Sequence, residues 1–155
     1  MKPTLALAFS LLGFVLANPT LSAAEPQHEG TTKEGHADHM LEGYAAVSTA
    51  LYKDDLAAAK KAADGMVKHD KDSAMAKHCQ SIVDSKNIEE ARTHFKALSD
   101  AAIPVAKEKK MMHEMNCPMA FGDKGANWLQ KSADEVQNPY LGAKMPHCGK
   151  MVMSK

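Results

Sequence analysis

From Leu41 to Val105 apolar side chains recur at steps of three and four, a spacing that gathers them on one side of a helix and that a strand cannot use. Leu41, Tyr44, Ala45, Ser48, Leu51 and Tyr52 mark a first helix. Asp54-Asp55 supplies an N-cap for a second, whose inward set is Leu56, Ala59, Ala63, Met66 and Val67 and which ends near His69. Asp72 or Ser73 caps a third, with Met75, Cys79, Ile82 and Val83 on one side, stopping around Asp84 to Lys86. Asn87 followed by Glu90 resembles a capping box, and Ala91, Phe95, Leu98, Ala102 and Val105 line the face behind it. Pro104 lacks a backbone donor and crowds the preceding turn, so the fourth helix is expected to kink or stop there.

Short turns between these segments predict up-down connectivity. Aromatic residues make up only 5% of the chain, which suits helices packed through small side chains better than a sheet built on branched and aromatic ones. The expected fold is all-α: an up-down three- or four-helix bundle over residues 39–112, followed by a strap over residues 113–155. Pro118, Gly122, Gly125, Pro139, Gly142, Pro146 and Gly149 punctuate that strap, leaving room for a short helix only near Ala126 to Gln137. The strap is expected to be irregular and laid over the helices.

The amino terminus reads as an export signal. Lys2 precedes an apolar run from Leu5 to Leu16, and Leu21-Ser22-Ala23-Ala24 suits signal peptidase. The run is too short to span a bilayer, which takes about 20 apolar residues. Residues 1–24 are therefore expected to be cleaved, leaving no membrane segment and a periplasmic chain. Residues 25–38 carry Pro26, Gly30, Gly35, charges and histidine without a large apolar side chain, and are expected to form a mobile arm.

Lys+Arg and Asp+Glu number 19 each, so no basic excess draws the chain to nucleic acid. No Cys-x-x-Cys-His, His-Glu-x-x-His, Gly-rich phosphate loop or Gly-x-Ser-x-Gly occurs, so neither covalent haem nor these enzyme classes have a sequence basis. Non-covalent haem has no specific signal either, and the chain reads as a non-enzyme.

Sulfur is where the sequence becomes specific. Met111, Met112, Met115, Met119, Met145, Met151 and Met153 account for seven of the 11 methionines, interleaved with Cys117, Cys148, His113 and His147. Thioether and thiolate are soft donors suited to Cu(I), and thioethers are not lost to disulfides in an oxidising compartment. Methionine also fills gaps in helical cores, the favoured reading of Met66 and Met75. Cys117 and Cys148 admit two readings: a disulfide closing a loop of about 30 residues, or a pair of ligands joined by Met119, Met145 and His147. Cys79 shares a face with Met75 and Ile82 and reads as a buried, inert thiol, whereas His69, His78 and His94 read as solvated. His36 and His39, spaced i, i+3 and followed by Met40, form a weak candidate for Cu(II) or Zn(II) if that stretch turns helical.

The run Cys117-Pro118-Met119-Ala120-Phe121, then Gly125-Ala126-Asn127-Trp128-Leu129, then Asn138-Pro139-Tyr140-Leu141-Gly142-Ala143-Lys144-Met145 and Cys148-Gly149 resembles a bacterial domain of unknown function. That domain is found alone in small exported proteins and fused to the periplasmic adaptor (membrane fusion) subunits of copper/silver-type efflux systems. The resemblance covers roughly Leu41 to Val152. It implies a helical bundle with this strap, a periplasmic setting and soft-metal export. It carries Cys117, Met119, Met145 and Cys148 over as metal residues and Trp128, Asn138, Pro139 and Tyr140 as structural frame. His147 and the added methionines at 111, 112, 115, 151 and 153 depart from the pattern toward copper, while the adaptor's hairpin and barrel parts are lacking.

The expected function is binding of Cu(I), or Ag(I), for buffering or for delivery to an efflux adaptor or another periplasmic copper protein. Cys117, Met119, Met145 and Cys148 are the main ligands, with His147, His113 and Met115 as auxiliaries. The alternative is an interaction module stapled by a Cys117–Cys148 disulfide and exposing methionines to a protein partner.

Overall fold

The computed structural model describes residues 33–153; the expected signal peptide, residues 1–24, and the first part of the arm, residues 25–32, lie outside the described residues. Four helices come first: α1 (Lys33–Tyr52), α2 (Leu56–His69), α3 (Ala74–Asp84) and α4 (Ile88–Lys109). Helices α2, α3 and α4 start where the chain supplies an acceptor for orphan N–H groups. Asp55 Oδ1 accepts from Ala58 N at 2.8 Å, Ser73 Oγ from Ala76 N at 3.0 Å, and Asn87 Oδ1 from Glu90 N at 2.9 Å. The Glu90 carboxylate reaches back past the N-cap and accepts from Lys86 N at 2.8 Å, one residue before the Asn87 N–H that the capping-box motif would use.

Each helix packs on the next, and α4 returns against α1. Tyr44, Val47, Leu51, Ala59, Ala63, Met66, Cys79, Ile82, Phe95 and Leu98 form the buried interior between them. Small residues set the approach of α1 to α2: a Cβ on Gly43 would stand 2.4 Å from Met66 Cγ. Helix α4 runs through Pro104 to Lys109 rather than stopping. Buried Ile103 and Ala106 on either side of the proline keep that turn docked, and Pro104 itself faces outward. Helix α1 begins at Lys33, so residues 33–38, read from sequence as the end of the arm, are helical.

The largest departure from the all-α expectation lies after α4. The strap is not irregular but holds three short strands, β1 (His113–Cys117), β2 (Ala126–Gln130) and β3 (Lys150–Met151), in an antiparallel sheet of order β2-β1-β3. Residues 126–130, the start of the segment expected to be helical, pair with β1 from His113↔Gln130 to Cys117↔Ala126. Strand β2 packs on α4 and α1, burying Trp128 and Leu129, while Met115 and Cys117 of β1 are buried with them. A tight turn, α5 (Ala120–Asp123), and a 3₁₀ turn at Gly142–Lys144 shape the connections. The chain is thus mostly helical with a small three-stranded sheet. No helix among the described residues is long and apolar enough to cross a membrane.

Candidate metal centre

The sheet decides which sulfurs meet. Cys117 ends β1, and the β1–β3 register, Met115↔Met151 and Asn116↔Lys150, brings the residues before β3 alongside it. Cys148 Sγ lies 2.7 Å from Cys117 Sγ. Asn138 fixes this turn from beneath: its buried side chain donates Nδ2–H to the Cys148 carbonyl at 2.6 Å and accepts from Tyr140 N at 2.8 Å and Leu141 N at 3.1 Å. Gly149 has φ +144 and sits so close to the indole that a Cβ would stand 2.6 Å from Trp128 Cη2. A side chain there would push the Cys148 segment off the sheet.

Cys117 is buried and Cys148 half-buried, so the pair forms the inner edge of a site open on one side. The hydrogen bond between the two thiols, then burial, pushes the Cys148 thiol above its ordinary value; the Met119 backbone N–H, directed at the same sulfur, works in the other direction. That N–H places Met119 beside the pair. Met145 is tied in by the Cys148 N–H, which donates to the Met145 carbonyl at 3.2 Å. The side chains of Met119 and Met145 are 47% and 38% exposed, too open for core packing to account for them. Two thiols and two accessible thioethers therefore stand on two adjoining segments, 117–119 and 145–148.

The other expected ligands fall elsewhere. Met115 is buried in the core between the sheet and the helices, where it acts as packing. His113 begins β1, four residues from Cys117 and so roughly 13 Å along an extended strand. His147 is adjacent in sequence, but its Nδ1 bonds the Val136 carbonyl at 2.8 Å and lies 3.7 Å from Glu135 Oε1, which turns the ring toward the loop after β2. Among the described residues no group of three or more His, Cys, Asp or Glu side chains is gathered for a metal ion. Any centre at the sheet thus depends on methionine for its further donors.

Cys79 takes no part. It is fully buried with its Sγ 3.6 Å from Met66 Sδ, and burial pushes the thiol up to about 12. His69 is not a solvated side chain as its polar flank suggested; it is half-buried, with the rings of His36 and His39 packed on it. Periodicity missed Arg92, which lies buried with its charge paired to Asp54. Its position on the flank of the Ala91 and Phe95 face was the one signal available.

Residues 40–113 are similar to a family described as a protein of unknown function (DUF3347). The matched stretch runs from α1 to the first residue of β1, so it covers the helices and stops short of Cys117 and Cys148. No curated protein and no solved structure matches the chain.

Proposed function

We propose that this chain binds Cu(I) or Ag(I) in the cell envelope, through Cys117 and Cys148 with Met119 and Met145 as thioether donors, and buffers the ion or passes it to an efflux system. The observation that carries the reading is the meeting of Cys117 and Cys148, 31 residues apart, next to two exposed methionines. Soft sulfur donors in low coordination favour Cu(I) over harder cations, and mixed thiolate and thioether donors hold it loosely enough for exchange. An envelope location follows from the signal-like residues 1–24, and the link to efflux from the strap's resemblance. His147 and His113 serve at most as outer acceptors in a transfer step, since the His147 ring is bonded to the Val136 carbonyl and His113 stands at the far end of β1 from Cys117.

One observation favours a second reading. Two thiolates on one ion at about 2.3 Å each lie roughly 3.7 Å or more apart, whereas a disulfide spans about 2.05 Å. At 2.7 Å the two sulfurs are nearer the bonded separation. In that reading a disulfide holds the sheet against the helices, and Met119, Met145, Met151 and Met153, all exposed, form an adaptable protein-binding surface.

An anaerobic titration against a chromophoric Cu(I) chelator, run on thiol-reduced and on oxidised protein, separates the two. Withdrawal of one equivalent by the reduced form, weakened by Met119→Ala with Met145→Ala, is the expected result. No withdrawal in either state, with a mass two hydrogens short of the dithiol, would leave the stapled interaction module.

A further inference from the structure

We infer that His36, His39 and His69 form a second metal site, separate from the sulfur pair and selective for a divalent, imidazole-preferring cation such as Zn(II) or Cu(II). The site joins the start of α1 to the end of α2. His36 and His39, three residues apart, share one face of α1, and His69 is the last residue of α2, which packs on α1. The His36 and His69 rings stack with centroids 4.8 Å apart, and those of His39 and His69 are 4.0 Å apart. Three imidazoles, drawn from two helices, thus occupy one small volume.

A neighbouring carboxylate supports the assignment. His36 Nε2 bonds Asp70 Oδ2 at 2.8 Å. A ligating histidine commonly donates its other ring N–H to a carboxylate, which fixes the tautomer and raises the basicity of the coordinating nitrogen. With Nε2–H on Asp70, Nδ1 of His36 is the nitrogen left for the ion. Asp70 Oδ1 in turn accepts from Asp72 N and Ser73 N, both at 3.1 Å, so the carboxylate is held in place. Asp38, the other nearby acid, is engaged 3.3 Å from Lys109 Nζ.

The rings stand stacked rather than aimed at one point, in keeping with the absence of a gathered triad among the described residues. His39 is exposed and His36 and His69 half-buried, so the cluster lies at the surface, where an ion can reach it between the two helices. Three imidazoles with no thiolate suit Zn(II) and Cu(II) better than the soft ions that the sulfurs of the strap prefer. Metal here clamps the first turns of α1, a stretch with no large apolar side chain before Met40, onto α2.

The test is a Zn(II) titration of the purified chain carrying Cys117→Ser and Cys148→Ser, which removes the competing thiols and makes the outcome independent of the copper reading. Imidazole proton resonances report the ligands. One equivalent of Zn(II) is expected to shift the resonances of His36, His39 and His69 together, and His39→Gln or His69→Gln to weaken binding by about tenfold or more, with His94→Gln as an unaffected control. His39 is exposed, so its replacement leaves the fold intact. Equal affinity in the His39 and His94 variants, or shifts confined to other histidines, would overturn the assignment.

Discussion

Arg92 is the residue through which the C-terminal segment is held to the helices. Its buried guanidinium donates Nε–H to the Pro139 carbonyl at 2.9 Å and Nη2–H to the Leu51 carbonyl at 3.0 Å, and pairs with Asp54. Asp54 also accepts from Ala143 N at 3.1 Å. Gly142 closes over this pair with φ +51, and a Cβ there would lie 2.1 Å from Asp54 Oδ1. Gly142→Ala is therefore expected to lose about 1–3 kcal/mol from backbone strain and collision together, read as a lowered urea midpoint. Burial works against the Asp54 charge, but the Ala143 N–H and Arg92 outweigh it and hold the carboxyl below its ordinary value. A depressed folded pKa contributes stability that is complete above the unfolded value of about 3.9 and fades as pH falls through the folded one. Asp54→Asn should flatten that acid limb in a series of thermal melts, leaving a smaller loss of stability between neutral pH and the unfolding acid range. Asn138→Ala leaves two N–H groups and the Cys148 carbonyl without their partner, and should cost about 1–3 kcal/mol while slowing closure of the Cys117–Cys148 disulfide.

Helices and strands differ in how far the sequence betrays them. The helical faces of α2, α3 and α4 repeat over three or more turns, and each opens on the acceptor the sequence suggested, so their positions were legible. The first turns of α1 were not, because Lys33 to His39 has no apolar stripe and is held instead by polar contacts such as His36 with Asp70. The strands escaped for two reasons. Each has at most five residues, and β2 buries Trp128, Leu129 and Gln130 in succession, which erases the alternation that marks a half-exposed strand. Gln130 is buried because its amide bonds the Ser132 and Glu135 carbonyls, a role no hydrophobic pattern reveals. Strand β2 also depends on α1: the Leu129 N–H donates to Tyr44 Oη at 3.0 Å, and Tyr44 Oη meets Ser99 Oγ of α4 at 2.8 Å. Tyr44→Phe strands that buried N–H, so a loss of about 1–3 kcal/mol and faster exchange of the Leu129 amide are expected by hydrogen-exchange NMR.

Across the whole described molecule, a helical layer carries a small sheet whose register assembles the sulfur site. The residue types of that site were visible in the sequence, since Cys117, Met119, Met145 and Cys148 stand out among Gly and Pro. Their selection was not: only the antiparallel pairing of β1 with β3 shows that Cys148 meets Cys117 while Met115 turns into the core and His113 is left at the far end of its strand. Joining residues 31 apart also ties β1 to the chain's last strand, so oxidation of the pair should raise stability. The chain-entropy estimate for such a loop is about 3–4 kcal/mol, to be read as the difference in denaturation midpoint with and without reductant. The claim on which the functional account rests is that sulfur, and not histidine, holds Cu(I). X-ray absorption at the copper edge of the reduced, one-equivalent Cu(I) protein tests it most directly. A first shell of sulfur scatterers alone, diminished in the Cys117→Ser and Cys148→Ser double variant, is the predicted result; a shell dominated by nitrogen with the imidazole outer-shell pattern would contradict it.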